Sequence, residues 1–161
     1  MRSTTGISLL IVSWMAISGI AACKIVINEV ELHPGCDHDA VDETHFCDQW
    51  FELYNAGDDL VNLRGWTISS TNSGATIDMT DSGIAPGSTY SIKVGRRFQE
   101  TDESLILRDG LGIEIDRTPI LSDNSGDDYT WSRIPDGGNE WRFVEGTWYR
   151  INAPQYSQNI R

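Results

Sequence analysis

The residues best suited to chemistry in this sequence are the histidines and carboxylates between positions 33 and 48. All three histidines of the chain lie there, among several aspartates and one glutamate. Imidazole and carboxylate together suit zinc or a similar transition ion, whereas carboxylates alone suit calcium. We expect a solvated, variable loop here, because Asp37-His38-Asp39 is no established metal motif. The alternative is a zinc or calcium site with the ligands Asp37, His38, Asp39, Asp42 and His45.

Two further acidic features have simpler structural explanations. The cluster 123–128 has its glycine at the fourth place rather than the sixth, and no glutamate closes it at the twelfth place. It therefore departs from a calcium-binding loop, and Asx side chains that bond to their own backbone explain it as a turn. Glu29 and Glu52 stand among hydrophobic neighbours. We expect them to be exposed on an outer face or paired with Arg64 or Arg133, rather than to form an acid–base pair.

The cysteines indicate the redox compartment. Cys36 and Cys47 flank the histidine-rich segment, and Cys23 is left as the odd one. In an exported chain, two cysteines at this spacing favour a disulfide, which would stabilise the fold by roughly 3 kcal/mol on a chain-entropy basis. We therefore predict a Cys36–Cys47 disulfide at the base of the loop.

The N-terminus has the organisation of a secretory leader. It holds one charge, Arg2, followed by the apolar run Ile7–Ala22 and a small-residue site. The sequence Ile20-Ala21-Ala22-Cys23 resembles the lipobox of prokaryotic lipoproteins, in which the cysteine becomes the lipidated first residue. We predict a signal peptide over residues 1–22 and lipidation at Cys23.

Two alternatives to lipidation remain open. One is ordinary cleavage near Ala21 or Ala22. The other is an uncleaved anchor, because the uncharged stretch Ser3–Ala22 approaches the roughly 20 residues that span a bilayer. The expected location is the extracellular or periplasmic face of a membrane, with the N-terminal anchor as the membrane contact.

Charge and motifs narrow the possible functions. The 161-residue chain has 24 acidic and 12 basic residues and a net charge of −12, which argues against nucleic-acid binding. It contains no legible Ser-His-Asp arrangement, phosphate-binding loop or Cys-x-x-Cys pair. After the leader, residues 23–154 suffice for one domain, and residues 155–161 are expected to form a loose tail.

Period-two alternation is the main secondary-structure signal. Trp66 with Ile68, Tyr90 with Ile92, and Ile113 are expected to face a core while their polar neighbours face outwards. Turn-forming residues separate these runs at short intervals. The pattern predicts an all-β antiparallel β-sandwich of seven to nine strands, preceded by an N-terminal signal helix.

An ordered set of motifs carries a family resemblance over roughly 24–154. The motifs are Ile27-Asn28-Glu29-Val30, Trp50-Phe51-Glu52-Leu53-Tyr54-Asn55, Val61-Asn62-Leu63-Arg64-Gly65-Trp66-Thr67-Ile68, Ile84-Ala85-Pro86-Gly87, Leu105-Ile106-Leu107 and Trp131-Ser132-Arg133. Together they resemble the lamin-tail domain, prokaryotic exported type. The resemblance implies an immunoglobulin-like β-sandwich that serves as a binding or tethering module, without an agreed catalytic site.

The expected function is therefore a non-catalytic, membrane-tethered binding or structural module at the cell surface, with a protein or another surface component as its partner. The alternative from another class is a small metal-dependent hydrolase that uses the His/Asp-rich loop 33–48. Only the alternative requires a cofactor, the zinc or calcium ion described above. In that case His33, His38 or His45 should meet Asp or Glu side chains in a concave pocket.

Overall fold

The computed structural model describes residues 24–35 and 48–147. Within these residues the chain forms eleven strands. In chain order they are β1 (Ile25–Glu31), β2 (Gln49–Asn55), β3 (Val61–Asn62), β4 (Thr67–Ser70), β5 (Thr76–Asp78), β6 (Gly83–Ile84), β7 (Thr89–Gly95), β8 (Leu105–Arg108), β9 (Glu114–Arg117), β10 (Tyr129–Arg133) and β11 (Trp141–Glu145).

The strands form two main antiparallel sheets. One sheet has the order β11-β10-β1-β2-β7, and the other has the order β5-β4-β8-β9. β3 and β6 form a separate two-stranded antiparallel sheet. The predicted all-β sandwich is confirmed, and the strand count exceeds the prediction because β3 and β6 are too short to show alternation. The predicted signal helix over residues 1–22 lies outside the described residues.

The core lies between the two sheets and follows the period-two pattern of the strands. Phe51 and Leu53 of β2 are buried in the same hydrophobic cluster as Trp66 and Ile68, across the sandwich. The segment Leu105–Leu107 is buried throughout, as expected for a strand covered on both sides. Burial of these large apolar groups supplies the main driving force that holds the sheets together.

One apolar residue departs from the sequence prediction. Ile113 was expected to face the core, but it is 57% exposed and precedes the first residue of β9. Ile113 belongs to the turn between β8 and β9, where its N–H donates to the Asp109 carboxylate, and this turn keeps its side chain on the surface. Trp50 is buried, yet it lies outside the core cluster, because alternation along β2 places it on the face opposite to Phe51.

A buried ion pair connects β10 and β9 across the sandwich. The Arg133 guanidinium donates Nη2 hydrogen bonds to both carboxylate oxygens of Asp116, at 3.1 and 3.0 Å. Its Nε donates to the carbonyl oxygen of Ile27 at 2.8 Å, and the carboxylate of Asp116 accepts the Ile27 N–H at 2.7 Å. The pair therefore satisfies both backbone groups of Ile27, next to a register shift in β1 between Ile27 and Glu29.

The face of Arg133 is also covered by an aromatic ring. Its guanidinium carbon lies 4.8 Å from the ring centroid of Trp141, in cation–π geometry, and Nη1 donates to the carbonyl of Gly138 at 2.6 Å. The Arg133 side chain therefore joins β1, β9 and the β10–β11 hairpin.

We predict that Arg133→Met lowers the free energy of unfolding by about 3–5 kcal/mol, because it leaves Asp116 without its cation and the Ile27 carbonyl without a donor. Urea unfolding followed by tryptophan fluorescence measures this loss. The matched control is Arg117→Met, which removes an exposed pair with Glu114 and should change stability little. Equal effects of the two substitutions would contradict the proposed importance of the buried pair.

Candidate functional site

The outer face of the five-stranded sheet carries buried carboxyl groups. Glu29 and Glu52 stand directly opposite each other in the register of β1 and β2, and both are buried. Glu29 Oε1 accepts hydrogen bonds from the Thr130 hydroxyl at 2.6 Å and from the Thr147 N–H at 2.8 Å. Its second oxygen accepts the Thr147 hydroxyl. These donors hold the chain beyond β11 against the sheet.

Glu52 is held in a similar way. Its carboxylate accepts the Asn28 amide at 3.0 Å and the Ser91 hydroxyl at 3.2 Å. Burial raises the pKa of Glu52, the nearby charge of Glu29 adds to that effect, and the hydrogen bond from Asn28 opposes it. The expectation that these glutamates are exposed or paired with Arg64 or Arg133 was wrong, because threonine, asparagine and serine donors surround them instead.

Glu31 and Asp123 form a second, closer pair of carboxyl groups. Each is only 2% exposed, and the two side chains lie close enough for one carboxyl group, when protonated, to donate a hydrogen bond to the other. Burial raises the pKa of Glu31 to about 9, with a further contribution from the charges of Asp123 and Asp127, against the lowering effect of the His33 N–H. Burial also raises the pKa of Asp123, against a hydrogen bond from the Ser125 N–H.

One proton held between the two groups explains this geometry. Among the described residues, Asp123 Oδ2 is a buried carboxylate oxygen without an N–H or O–H donor. A protonated Glu31 becomes a donor toward Asp123, whereas two ionised carboxylates in this place would repel each other. Because burial raises the pKa of Glu31 to about 9, we expect this carboxyl group to keep its proton at neutral pH.

His33 lies beside this pair. Its backbone N–H donates to Glu31 Oε1 at 2.9 Å, and its ring Nδ1 is 3.7 Å from Glu100 Oε2. Beyond His33, Gly35 donates its N–H to the Asp127 carbonyl at 2.9 Å, which fixes the start of the β1–β2 connection. His33 is thus the one predicted loop histidine whose position is described, and its ring is paired with the Glu100 carboxylate.

The acidic segment 123–128 is organised by turns, as its sequence indicated. Asp123 Oδ1 accepts the Ser125 N–H at 2.9 Å, and Asp127 Oδ1 accepts the Tyr129 N–H at 2.9 Å. In each case the side chain bonds to the backbone two residues further on, which is the Asx-turn geometry. These contacts confirm the turn interpretation.

The other predicted site residues lie outside the described part of the chain. They are Cys23, Cys36, Asp37, His38, Asp39, Asp42, His45 and Cys47. Within residues 24–35 and 48–147, no group of three or more His, Cys, Asp or Glu side chains has the arrangement to hold a metal ion. The disulfide, the lipidation and the zinc or calcium site therefore stay predictions.

A cavity of about 400 Å³ opens between two sheet edges, at β5 and β7. Its lining is Thr76, Ile77, Asp78, Lys93, Val94 and Arg97. This lining combines one carboxylate with two cations and contains none of the histidines. It is therefore not the concave His/Asp pocket that the hydrolase alternative requires.

The chain enters the sandwich at Lys24, directly beside the centre of the larger sheet. The Lys24 carbonyl accepts the Ala56 N–H at 2.9 Å, and β1 begins one residue later between β10 and β2. In the described part of the chain, no helix has the length and the apolar composition needed to span a bilayer.

Two facing antiparallel sheets, organised in this way, form an immunoglobulin-like β-sandwich. Comparison with protein families identifies the chain more closely. The lamin tail domain matches residues 19–133, and the chain belongs to this family. The described domain continues past the match, because β11 pairs with β10 along its whole length. A search of curated proteins found no match.

The Glu31–Asp123 pair was missed by sequence reasoning. Glu29 and Glu31 stand at alternate positions of an apolar run. This pattern could have indicated that the face of β1 that carries them is covered rather than exposed to solvent. The contribution of Asp123 had no local signal, since only the packing of its turn against β1 brings it close.

We predict that Glu31→Gln flattens the pH dependence of stability. The pKa of Glu31 is raised in the folded state, so its contribution is fully present below about pH 4.5 and is lost as the pH rises through about 9. From about pH 6 to about pH 8 the wild type should lose stability relative to the variant, by at most roughly 1.4 kcal/mol per pH unit. Urea unfolding at several pH values measures this difference.

The matched control for this measurement is Glu140→Gln, because Glu140 is an exposed carboxylate on the β10–β11 hairpin. It should follow the wild-type pH profile. Parallel profiles for wild type and Glu31→Gln would show that Glu31 is ionised in the folded protein, and the shared-proton interpretation would then be wrong.

Proposed function

We propose that this lamin-tail protein is exported, tethered to a membrane through its N-terminus, and serves as a non-catalytic module that binds or organises a component of the cell surface. The observation that supports this most directly is the position of Lys24. A leader or a lipidated Cys23 joins the central strand of the larger sheet without an intervening linker. Such an attachment suits a tethered module.

The use of the buried carboxyl groups supports a non-catalytic role. Glu29 and Glu52 accept hydrogen bonds from Thr130, Thr147, Asn28 and Ser91, which connect strands and loops. A catalytic acid or base needs its proton within hydrogen-bond reach of a substrate. The carboxylates of Glu29 and Glu52 already accept hydrogen bonds from side chains and backbone of the domain itself. These hydrogen bonds stabilise the fold and do not leave the carboxylates free to reach a substrate.

Binding is expected to involve the loops rather than the sheet faces. Loops on a rigid sandwich tolerate sequence change and commonly carry recognition residues. The net charge of −12 favours a neutral or cationic partner and disfavours nucleic acid. The partner is therefore proposed to be a protein or another surface component.

We predict that membrane attachment depends on Cys23. Expressed in a bacterial host, the wild-type chain should stay with membranes after an alkaline wash, because acyl chains on a cysteine anchor a protein stably when more than one is present. Cys23→Ser should move to the soluble fraction. Mass spectrometry of the N-terminal peptide measures the lipid directly.

The matched control is Cys36→Ser, which removes a cysteine outside the lipobox-like sequence and should keep the chain on the membrane. Retention of Cys23→Ser on washed membranes would exclude the lipid and favour an uncleaved anchor. Release of the wild type would contradict tethering altogether.

We also predict that the folded full-length chain captures a partner from envelope extract in a saturable way. The control is the same chain unfolded by heat, which keeps composition and charge but loses the sandwich. Quantitative mass spectrometry of the captured material measures the enrichment. Equal capture by folded and unfolded chain would contradict a binding role for the domain.

A further inference from the structure

Several loops meet at the end of the sandwich where the chain enters. We call this the leader-side end, and it consists of Lys24 and the loops 56–60, 63–66, 109–113 and 134–140. β1 starts there, since Ile25 lies opposite the last residue of β2. The loop 109–113 joins the same end, because a Cβ at Gly110 would lie 3.4 Å from the Arg64 carbonyl. The hairpin 134–140 joins through the contact of Gly137 with Tyr54.

Exposed apolar side chains are concentrated at this end. Of the large hydrophobic residues exposed in the described part of the chain, four belong to it: Leu60 at 69%, Leu111 at 85%, Ile113 at 57% and Ile134 at 37%. Ile120 and Tyr129 lie at the opposite end. Single exposed apolar residues are ordinary, but their clustering at one end is informative.

The loop 109–113 exposes apolar side chains, while several of its backbone N–H groups are hydrogen-bonded within the loop. The Asp109 carboxylate accepts the N–H groups of Leu111 and Ile113, each at 2.9 Å. The Gly112 N–H donates to the Asp109 carbonyl at 2.9 Å, and Gly112 has a φ of 80° that favours glycine. Because these N–H groups are bonded within the turn, Leu111 and Ile113 can enter an apolar medium without leaving them unpaired.

The charges at this end do not favour anionic lipid. The exposed loop after β2 carries two carboxylates, Asp58 and Asp59, directly before Leu60. Lys24 and Arg64 are exposed cations at the same end. An anionic surface would be attracted by a cluster of Lys and Arg, which this end lacks among its described residues. Attraction must come from the apolar side chains, and a zwitterionic surface suits them best.

We propose that the leader-side end seats on a zwitterionic lipid bilayer, with Leu111 and Ile113 inserted at the interface and Leu60 and Ile134 beside them. This inference rests on the proposed membrane tether. A leader or lipid adjoining Lys24 holds this end within a few residues of the bilayer, at roughly 3.5 Å per extended residue. At that distance the effective concentration of the surface is high, so a few apolar side chains suffice for contact.

Bromolipid quenching tests this seating in the full-length protein. Leu111→Trp and Ile120→Trp each add one tryptophan to the native ones, at exposed positions on opposite ends. The chains are reconstituted into phosphatidylcholine vesicles with brominated acyl chains, and the wild-type signal is subtracted. We expect the tryptophan added by Leu111→Trp to be quenched several-fold more by bromine than the one added by Ile120→Trp, and to be shielded from aqueous iodide.

The outcomes separate this inference from the proposed function. If the wild type does not float with vesicles on a density gradient, the tether fails and the seating fails with it. If it floats but both added tryptophans respond equally to iodide, the tether stands and the seating is wrong, which would leave this end to a protein partner. Ile113→Trp provides a second reporter in the same turn, and circular dichroism verifies that each variant keeps the β-sandwich.

Discussion

The sandwich depends on how the backbone of β1 is satisfied at Ile27. Beyond the pairs formed by Glu29 and Val30, β1 loses its antiparallel partner β10. Ile27 would then expose both backbone groups on that side, inside a sheet and away from water. A buried N–H or C=O without a partner costs as much as a lost hydrogen bond. Asp116 and Arg133 replace the missing strand, one as acceptor and the other as donor.

The bonding of the Ile27 backbone by Asp116 and Arg133 also affects the packing of the two sheets. The charges of Asp116 and Arg133 are removed from water, and their mutual attraction must offset that desolvation. The hydrogen bonds from Nη2 to both oxygens of Asp116 and the contact with the Trp141 ring supply favourable geometry. Because Asp116 belongs to β9 and Arg133 to β10, the backbone repair in β1 also fixes the relative position of the two sheets.

The sequence indicated the fold far better than it indicated these polar contacts. Alternation in β4 and β7 gave the correct inner faces, and the motif order led to the correct family. Alternation assigns a residue to a face, but it does not say what covers that face. Glu29 was therefore expected to be exposed or paired with an arginine, although Thr130 and Thr147 donate hydrogen bonds to its carboxylate. The prediction that Ile113 faces the core was wrong for a different reason. The Asp109 carboxylate accepts the Ile113 N–H in a turn, and this turn ends the alternation before β9 begins.

The buried carboxylates also organise the end of the sandwich opposite Lys24. Glu103 accepts the Ser70 hydroxyl at 2.7 Å and the N–H groups of Thr71 and Gln99 at 3.1 and 3.0 Å, so one side chain joins two loops.

The predicted metal ligands and cysteines lie outside the described part of the chain. Their sequence gives ligand types and spacing, whereas a site requires the positions that only packing supplies.

The direction of β1 gives the two ends different environments under the proposed tether. β1 runs from Lys24, where a leader would hold the domain, to Glu31 at the opposite end. The connection to β2, which contains the candidate metal ligands, begins after Gly35 and ends at Asp48, so both of its attachment points lie at the end away from the anchor. Under this tether, Gly35 and Asp48 would face the surrounding medium, and the turn that contains Leu111 and Ile113 would face the anchoring surface. Such an arrangement requires a rigid connection between the two ends, and the hydrogen-bonded strands of the sandwich provide it.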